Sequence, residues 1–302
     1  MTLPRFLGIK NSEGLPYAEM WMGTHSGAPS QIETDGSRVD LTEISGELSF
    51  LFKLLAVEKP LSIQVHPNKE QALEGFKKEN EAGIALDAPE RNYRDPNHKS
   101  EILCAITPFT LMAGFKKPQD IYASIGKISD EQIKLIKSFE ALYPADGAVY
   151  SPLYFNLITL QPGQAIYIPA GTLHSYISGF GLELMNSSDN VLRGGLTSKY
   201  KDIDELTKII NKDPFLPEII TPSFQSVFNY PVCGEDFSLN MVCSSGEEVV
   251  LNINDPVICI VTEGEAQIDG SLFKKGESFF IKDADNIRLK GNFSLFAASG
   301  KQ

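Results

Sequence analysis

The chain of 302 residues is 42% hydrophobic and 22% charged, the composition of a soluble globular protein with room for one large core or two smaller ones. Its 39 acidic and 27 basic residues give a formal charge of −12, which disfavours nucleic acid and anionic membranes as partners because both need a basic surface. No run approaches the ~20 apolar residues that cross a bilayer, and the opening MTLPRFLGIKNSEG lacks the basic start and apolar stretch of a secretory signal, so a cytoplasmic protein is expected. Four cysteines, Cys104, Cys233, Cys243 and Cys259, form no CxxC pair and read as reduced, partly buried thiols rather than metal ligands.

In chain order, SFLFKLLAV (49–57) is a β-like run, and LSIQVHPNKE (61–70) reads as a short strand entering a helix. Strand alternation puts Gln64 and His66 on one face and turns Val65 to the other. Three helix starts carry capping-box spacing, Asn68 with Gln71, Ser129 with Gln132 and Asp202 with Glu205; in the second, Ile133, Ile136, Phe139 and Tyr143 line one side. Between them EILCAITPFTLMAGF (101–115), LYFNLITL (153–160), QAIYIPA (164–170) and HSYISGFGLELMNSS (174–188) read as strands punctuated by Gly and Pro. Many short strands with few helices predict a mainly β protein of the sandwich or barrel type. NKDPFLPEIITPSFQSVF (211–228) marks the boundary between residues 1–220, which include a helical segment at 118–147, and a second all-β unit at 221–302.

PGQAIYIPAGTLHSYIS (162–178) spaces Gly163, Pro169, Gly171 and His174 as a strand driven into a tight turn, after which the next strand presents a histidine. This spacing resembles the second signature of the cupin superfamily, G(x)5PxG(x)2H(x)3N, with Ser178 at the final position. In such barrels a first signature of HxH and a Glu joins that histidine on a metal; here the HxH place reads Gln64-x-His66. In NYRDPNHKSEI (92–102), Lys99 and Glu101 share one face and His98 and Ser100 the other. Gln64, His66, Glu101 and His174 then make an N2O2 set suited to Zn²⁺ or a similar ion.

PYAEMWMGTH, PLSIQVHPNKEQA, DPNHKSE, PAGTLHSY and LELMNSSDNVLRGGLTSKY follow in order the motifs of the type I phosphomannose isomerase family, which this chain resembles from about residue 17 to 206. The resemblance implies tandem cupin (jelly-roll) barrels with a short helical insertion, and interconversion of mannose 6-phosphate and fructose 6-phosphate. It implies one Zn²⁺ per chain on Gln64, His66, Glu101 and His174, a catalytic arginine at Arg193 and a pocket carboxylate at Glu19. Moving a proton between C1 and C2 through an enediolate needs an electrophile over the oxygens and a base near the carbons. Glu183, His98, Asp189 and Lys99 are the candidate proton carriers or positioners. Lys53, Lys99, Arg193 and Lys199 offer cations for a phosphate, and Ser62 and the glycines of RGGL offer further donors. Relative to the family the chain begins beyond a Tyr-x-Trp-Gly strand, leaving Trp21 as its one tryptophan; Ser100 stands where Pro is usual; and the helical segment is shorter.

KKGESFFIKDADNIRLKG (274–291) repeats the turn pattern in part, with Gly276 in the place of Gly163, Lys282 of Pro169 and Ile287 of His174. Residues 221–302 therefore read as a cupin-like barrel without metal ligands, and CIVTEGEAQIDGS (259–271) as one of its hairpins. Two other functions share these features. A cupin isomerase or epimerase for another sugar would use the same ligands, and a non-enzymatic sugar-phosphate sensor would bind without C2 proton exchange.

Overall fold

The alternating runs resolve into two antiparallel β-structures in a computed structural model that describes residues 2–300 apart from 35, 224 and 233. The expectation for Cys233 lies outside the described residues; Cys104 and Cys259 are buried free thiols and Cys243 is half-buried. The first unit contains α1 (Leu3–Leu7), β1 (Glu19–Gly23), β2 (Gln31–Thr34), β3 (Ser37–Asp40), α2 (Leu41–Ser45), β4 (Phe50–Val57), β5 (Ile63–Val65) and α3 (Lys69–Glu81). It continues through β6 (Glu101–Ala105), β7 (Phe109–Phe115), α4 (Pro118–Gly126), α5 (Asp130–Leu142), a 3₁₀ turn at Gly147–Leu153, β8 (Phe155–Leu160), β9 (Ala165–Ile168), β10 (His174–Asn186), β11 (Leu192–Gly195) and α6 (Ile203–Ile209). The second contains β12 (Val227–Tyr230), β13 (Phe237–Ser245), β14 (Val249–Asn252), β15 (Val257–Ile268), β16 (Ser271–Lys274), β17 (Ser278–Ile281) and β18 (Asn286–Gly300).

Both reciprocal capping boxes form, at Asn68 with Gln71 and at Ser129 with Gln132, while Asp202 accepts from the Glu205 amide. On α5, Ile136 and Phe139 are buried but Ile133 is 37% exposed, so the buried stripe is narrower than its spacing suggested. The short helices α1 and α2 carry no such signal; both end at glycines with positive φ, Gly8 and Gly46.

The long strand β10 organises the first unit. Its residues 179–186 pair with β4 and β6, and its start pairs with β5 and β7, so one strand belongs to both walls of a barrel. Alternation then sorts β4. Phe50, Phe52 and Leu54 pack outward against Leu239, Ile258 and Phe296 of the second unit, in a core shared by both sheets. Leu55 and Val57 face inward with Leu103, Leu111 and Tyr176. Lys53 interrupts the inward row, which makes it the residue of β4 that packing alone does not explain.

The second sheet repeats the turn that opens β9. Gly163 (φ 83) precedes β9 by two residues and Gly276 (φ 87) precedes β17 by two, and each four-residue strand leads to a long one. Left-handed backbone at both sites favours glycine because a Cβ would crowd the following carbonyl. Ile287 lies near the start of β18 and is buried, as His174 is in β10. The expected hairpin at 259–271 also forms: Asp269 (φ 48) and Gly270 (φ 85) make the two-residue turn between β15 and β16.

Candidate active site

Three side chains from three strands meet at the mouth of the first barrel. His66 follows β5, His174 opens β10 and Glu101 opens β6; all are buried, and each has a ligand atom within 4.8 Å of the others. His66 Nδ1 donates to the Asn190 carbonyl at 2.7 Å and His174 Nδ1 to the Thr172 carbonyl at 2.9 Å. With both Nδ1 atoms spent as donors, each Nε2 turns a lone pair toward Glu101, His66 3.2 Å from Oε1 and His174 3.2 Å from Oε2. Glu101 Oε1 is buried and accepts no hydrogen bond of good geometry, although Lys99 Nζ lies 2.9 Å away. The Lys99 ammonium, also 3.3 Å from His66 Nε2, offsets part of the repulsion among these acceptors, and two imidazole nitrogens converging with a buried carboxylate are a donor set that fits a divalent metal. Gln64 joins from β5, its amide nitrogen 3.3 Å from His174 Nε2; a half-turn of the amide presents its oxygen to the same point.

Charge balance agrees with that chemistry. Burial, reinforced by the Lys99 ammonium, pushes His66 down to about 4, so its imidazole is neutral as a ligand must be. Burial alone would raise Glu101, but the Lys99 ammonium outweighs it and holds the carboxyl well below the ordinary range.

Beside this cluster lies a cleft of about 730 Å³. One wall is a ladder row across three strands: Trp21 on β1 opposite Lys53 on β4, and Lys53 opposite Glu183 on β10. Lys53 Nζ is 3.2 Å from Glu183 Oε2 and 5.1 Å from the Trp21 ring, whose Nε1 donates to Glu19 at 2.6 Å. Burial would lower Lys53, but the carboxylates of Glu183, Glu19 and Glu101 prevail and raise it. Glu183 is raised by burial and by Glu101. The Tyr176 hydroxyl shares its one proton between Glu183, 2.9 Å away, and Glu101, 3.2 Å away, joining the ladder row to the metal cluster, and is pushed well up by burial and those two carboxylates. Arg94, Arg193 and Lys199 also line the cleft. Burial and the neighbouring Arg94 lower Arg193.

Of the residues expected from sequence, Gln64, Glu101, Lys53, Lys99, Glu183, Asp189, Arg193, Lys199 and Glu19 line the cleft, and His66 and His174 lie behind it in the metal cluster. Two do not enter the wall. His98 lies in the extended segment before β6 and turns away from Lys99, its Nε2 3.0 Å from Glu235 Oε2. Ser62 precedes the regular part of β5; the bonds of Leu61 to Ser175 and Tyr176 set the chain there, and Leu61 lines the cleft instead. Asp189 is shared, its Oδ2 3.0 Å from His25 Nε2. In RGGL, Gly195 makes room for Ala148, and Asp146 accepts the Leu196 amide. Sequence reasoning missed Arg94, Tyr176 and Trp21 as wall residues. Tyr176 and Trp21 each lie two residues from an expected residue on the same strand, the signal that would have found them.

Fold and cluster together define a metal-binding antiparallel barrel of the cupin type with a cation-lined cleft at its mouth. Residues 3–118 match the family model described as phosphomannose isomerase type I, catalytic domain. A mannose-6-phosphate isomerase of Salmonella typhimurium is 34% identical over 366 aligned positions covering 97% of this chain and 94% of that protein, and one of Escherichia coli is 33% identical with the same coverage. The chain belongs to the type I phosphomannose isomerase family. With 366 aligned positions against 302 residues, at least 64 positions have no counterpart here. A zinc-bound crystal structure of mannose 6-phosphate isomerase superposes with a TM-score of 0.90 at 32% identity, covering 100% of this chain and 95% of that one. The Salmonella typhimurium enzyme bound to fructose 6-phosphate and zinc superposes at 0.87 and 33% identity, covering 99% and 95%.

Proposed function

We propose that this chain interconverts mannose 6-phosphate and fructose 6-phosphate, with one Zn²⁺ held by Gln64, His66, Glu101 and His174. The observation that carries the reading is the meeting of two imidazole lone pairs and a buried carboxylate beside a cleft that Arg94, Arg193 and Lys199 help to line. When bound, zinc supplies an electrophile for the two substrate oxygens.

The protein's own groups do the rest. Arg94, Arg193 and Lys199 attract the phosphate and the oxygens that gain charge as the enediolate forms. Lys53 and Glu183 neutralise each other in the wall and present no net charge to the sugar. A base must be reachable from the cleft, and Asp189 fits best because its side chain is 41% exposed in the wall, whereas Glu183 is occupied by Lys53 and Tyr176. Lys99, 2.9 Å from Glu101, is placed to pass a proton between the substrate oxygens.

We further read residues 1–220 as the catalytic unit, including the helices at 118–147, and 221–302 as a metal-free barrel. In support, all four histidines precede residue 221. No helix among the described residues is long and apolar enough to cross a membrane.

A coupled isomerase assay on metal-stripped and zinc-restored protein tests the function. Activity should vanish on stripping and return with zinc, and Arg193→Ala should lower kcat/KM by about 10²–10³-fold. Binding of fructose 6-phosphate without proton exchange at C2 in the zinc-restored protein would identify a sensor instead.

A further inference from the structure

The side-chain bonds that cross from the second sheet to the first concentrate on one carboxylate. Glu235, between β12 and β13, accepts from the Tyr167 hydroxyl at 2.6 Å through Oε1, and its Oε2 lies 3.0 Å from His98 Nε2. The Ser100 hydroxyl also hydrogen-bonds to it. The Glu235 side chain is only 7% exposed.

These partners share a location. Residues 98 and 100 form the back of the segment whose front carries Lys99 and Glu101, since neighbours along an extended chain alternate faces. Tyr167 lies on β9, opposite Ile102 of the same strand. The front and ends of this segment are tied by other bonds, Asn97 O accepting from Asn190 Nδ2 at 2.8 Å, Lys99 N meeting the Pro67 carbonyl at 3.3 Å and Ser100 N the Asn186 side chain at 3.1 Å, while Glu235 meets the back-facing side chain of His98. A clamp on two consecutive back-facing residues sets where the two front-facing ones aim.

We propose that Glu235 is a positioning residue for the metal site, by which the C-terminal barrel holds the segment at 98–101 and so aims Lys99 and Glu101. The proposal rests on the metal reading given above. It assigns the second barrel a part in the chemistry through one side chain that touches neither metal ligand nor cleft.

Zinc affinity, measured by competition with a chromophoric chelator on variants shown to be folded by circular dichroism, separates this role from simple adhesion of the two barrels. Glu235→Ala should bind zinc about tenfold more weakly, in the range seen for residues that support metal ligands. Glu235→Gln, which keeps an oxygen for Tyr167, should recover most of the loss. Tyr230→Phe removes another bond across the same seam, from the Tyr230 hydroxyl to the Gly163 carbonyl at 2.7 Å, and should bind zinc like the wild type. Equal affinity in wild type and Glu235→Ala, or an equal loss in Tyr230→Phe, overturns the proposal. A wild-type chain that takes up no zinc overturns the underlying metal reading instead.

Discussion

The two antiparallel β-structures of this chain share a turn and differ in what they bury. The first encloses Lys53, His66, Lys99, Glu101, His174 and Glu183, whereas among the described residues beyond 221 Thr262 is the one polar residue buried as a whole, and Glu235 buries its side chain at the seam. Both use a left-handed glycine before a four-residue strand, Gly163 and Gly276, and both then run into their longest strand. Backbone pattern therefore builds the barrel, and the side chain that follows the turn decides its use: His174 in one, Ile287 in the other. The charged interior is the costlier arrangement, because each buried ion must find a partner.

Exchanging that deciding side chain breaks the comparison most sharply. His174→Ala should lower kcat/KM by about 10³-fold, corresponding to several kcal/mol of lost electrophilic assistance. Ile287→His should bring no second zinc, since the second barrel has no other histidine and the cluster of its neighbours is apolar. It should instead destabilise the fold by about 1–3 kcal/mol for an unsatisfied buried polar group, read in a urea melt. The charged row of the first barrel gives the next effect. Lys53→Met leaves Glu183 buried without its partner and should cost about 3–5 kcal/mol of stability, most of which Lys53→Met with Glu183→Gln restores.

The shared turn offers a smaller and more exacting contrast. Gly163→Ala should cost about 1–2 kcal/mol for left-handed backbone alone, because its Cβ would meet only Pro222 Cγ, at 3.4 Å. Gly276→Ala should cost more, since there the Cβ would press on the Phe6 carbonyl at 3.0 Å and Leu7 Cα at 3.1 Å. Thermal denaturation of the two variants gives the order.

The smallest effect concerns pH at the seam. Burial acts to raise Glu235, yet its bonds to His98, Tyr167 and Ser100 lower it below the ordinary value of 4.5. A carboxylate with a depressed folded-state pKa stabilises above its unfolded value and loses that contribution as pH falls through the folded value. The stability gap between wild type and Glu235→Gln should thus be full near neutrality and close as the pH falls below the ordinary carboxylate range and through the depressed folded-state value.

Much of this was legible in the sequence wherever the signal was local. Period-2 alternation placed Gln64 with His66 and Lys99 with Glu101, and the two capping boxes located α3 and α5. Local parity also held the answer for His98, which the spacing set opposite Lys99, away from the cleft. It failed at Ser62, where the regular strand starts one residue later than the parity needs. Contacts between distant segments left no local trace: Arg94 beside Arg193, Asp189 shared with His25, and the reach of Glu235 to residue 98 all depend on how the sheets pack.

The most direct test is anomalous diffraction at the zinc edge from crystals of the zinc-loaded protein. One peak per chain is expected, about 2.0–2.2 Å from both imidazole Nε2 atoms of residues 66 and 174, a carboxylate oxygen of residue 101 and the amide oxygen of residue 64. A peak held by any other set of side chains, or none at this position, contradicts the account.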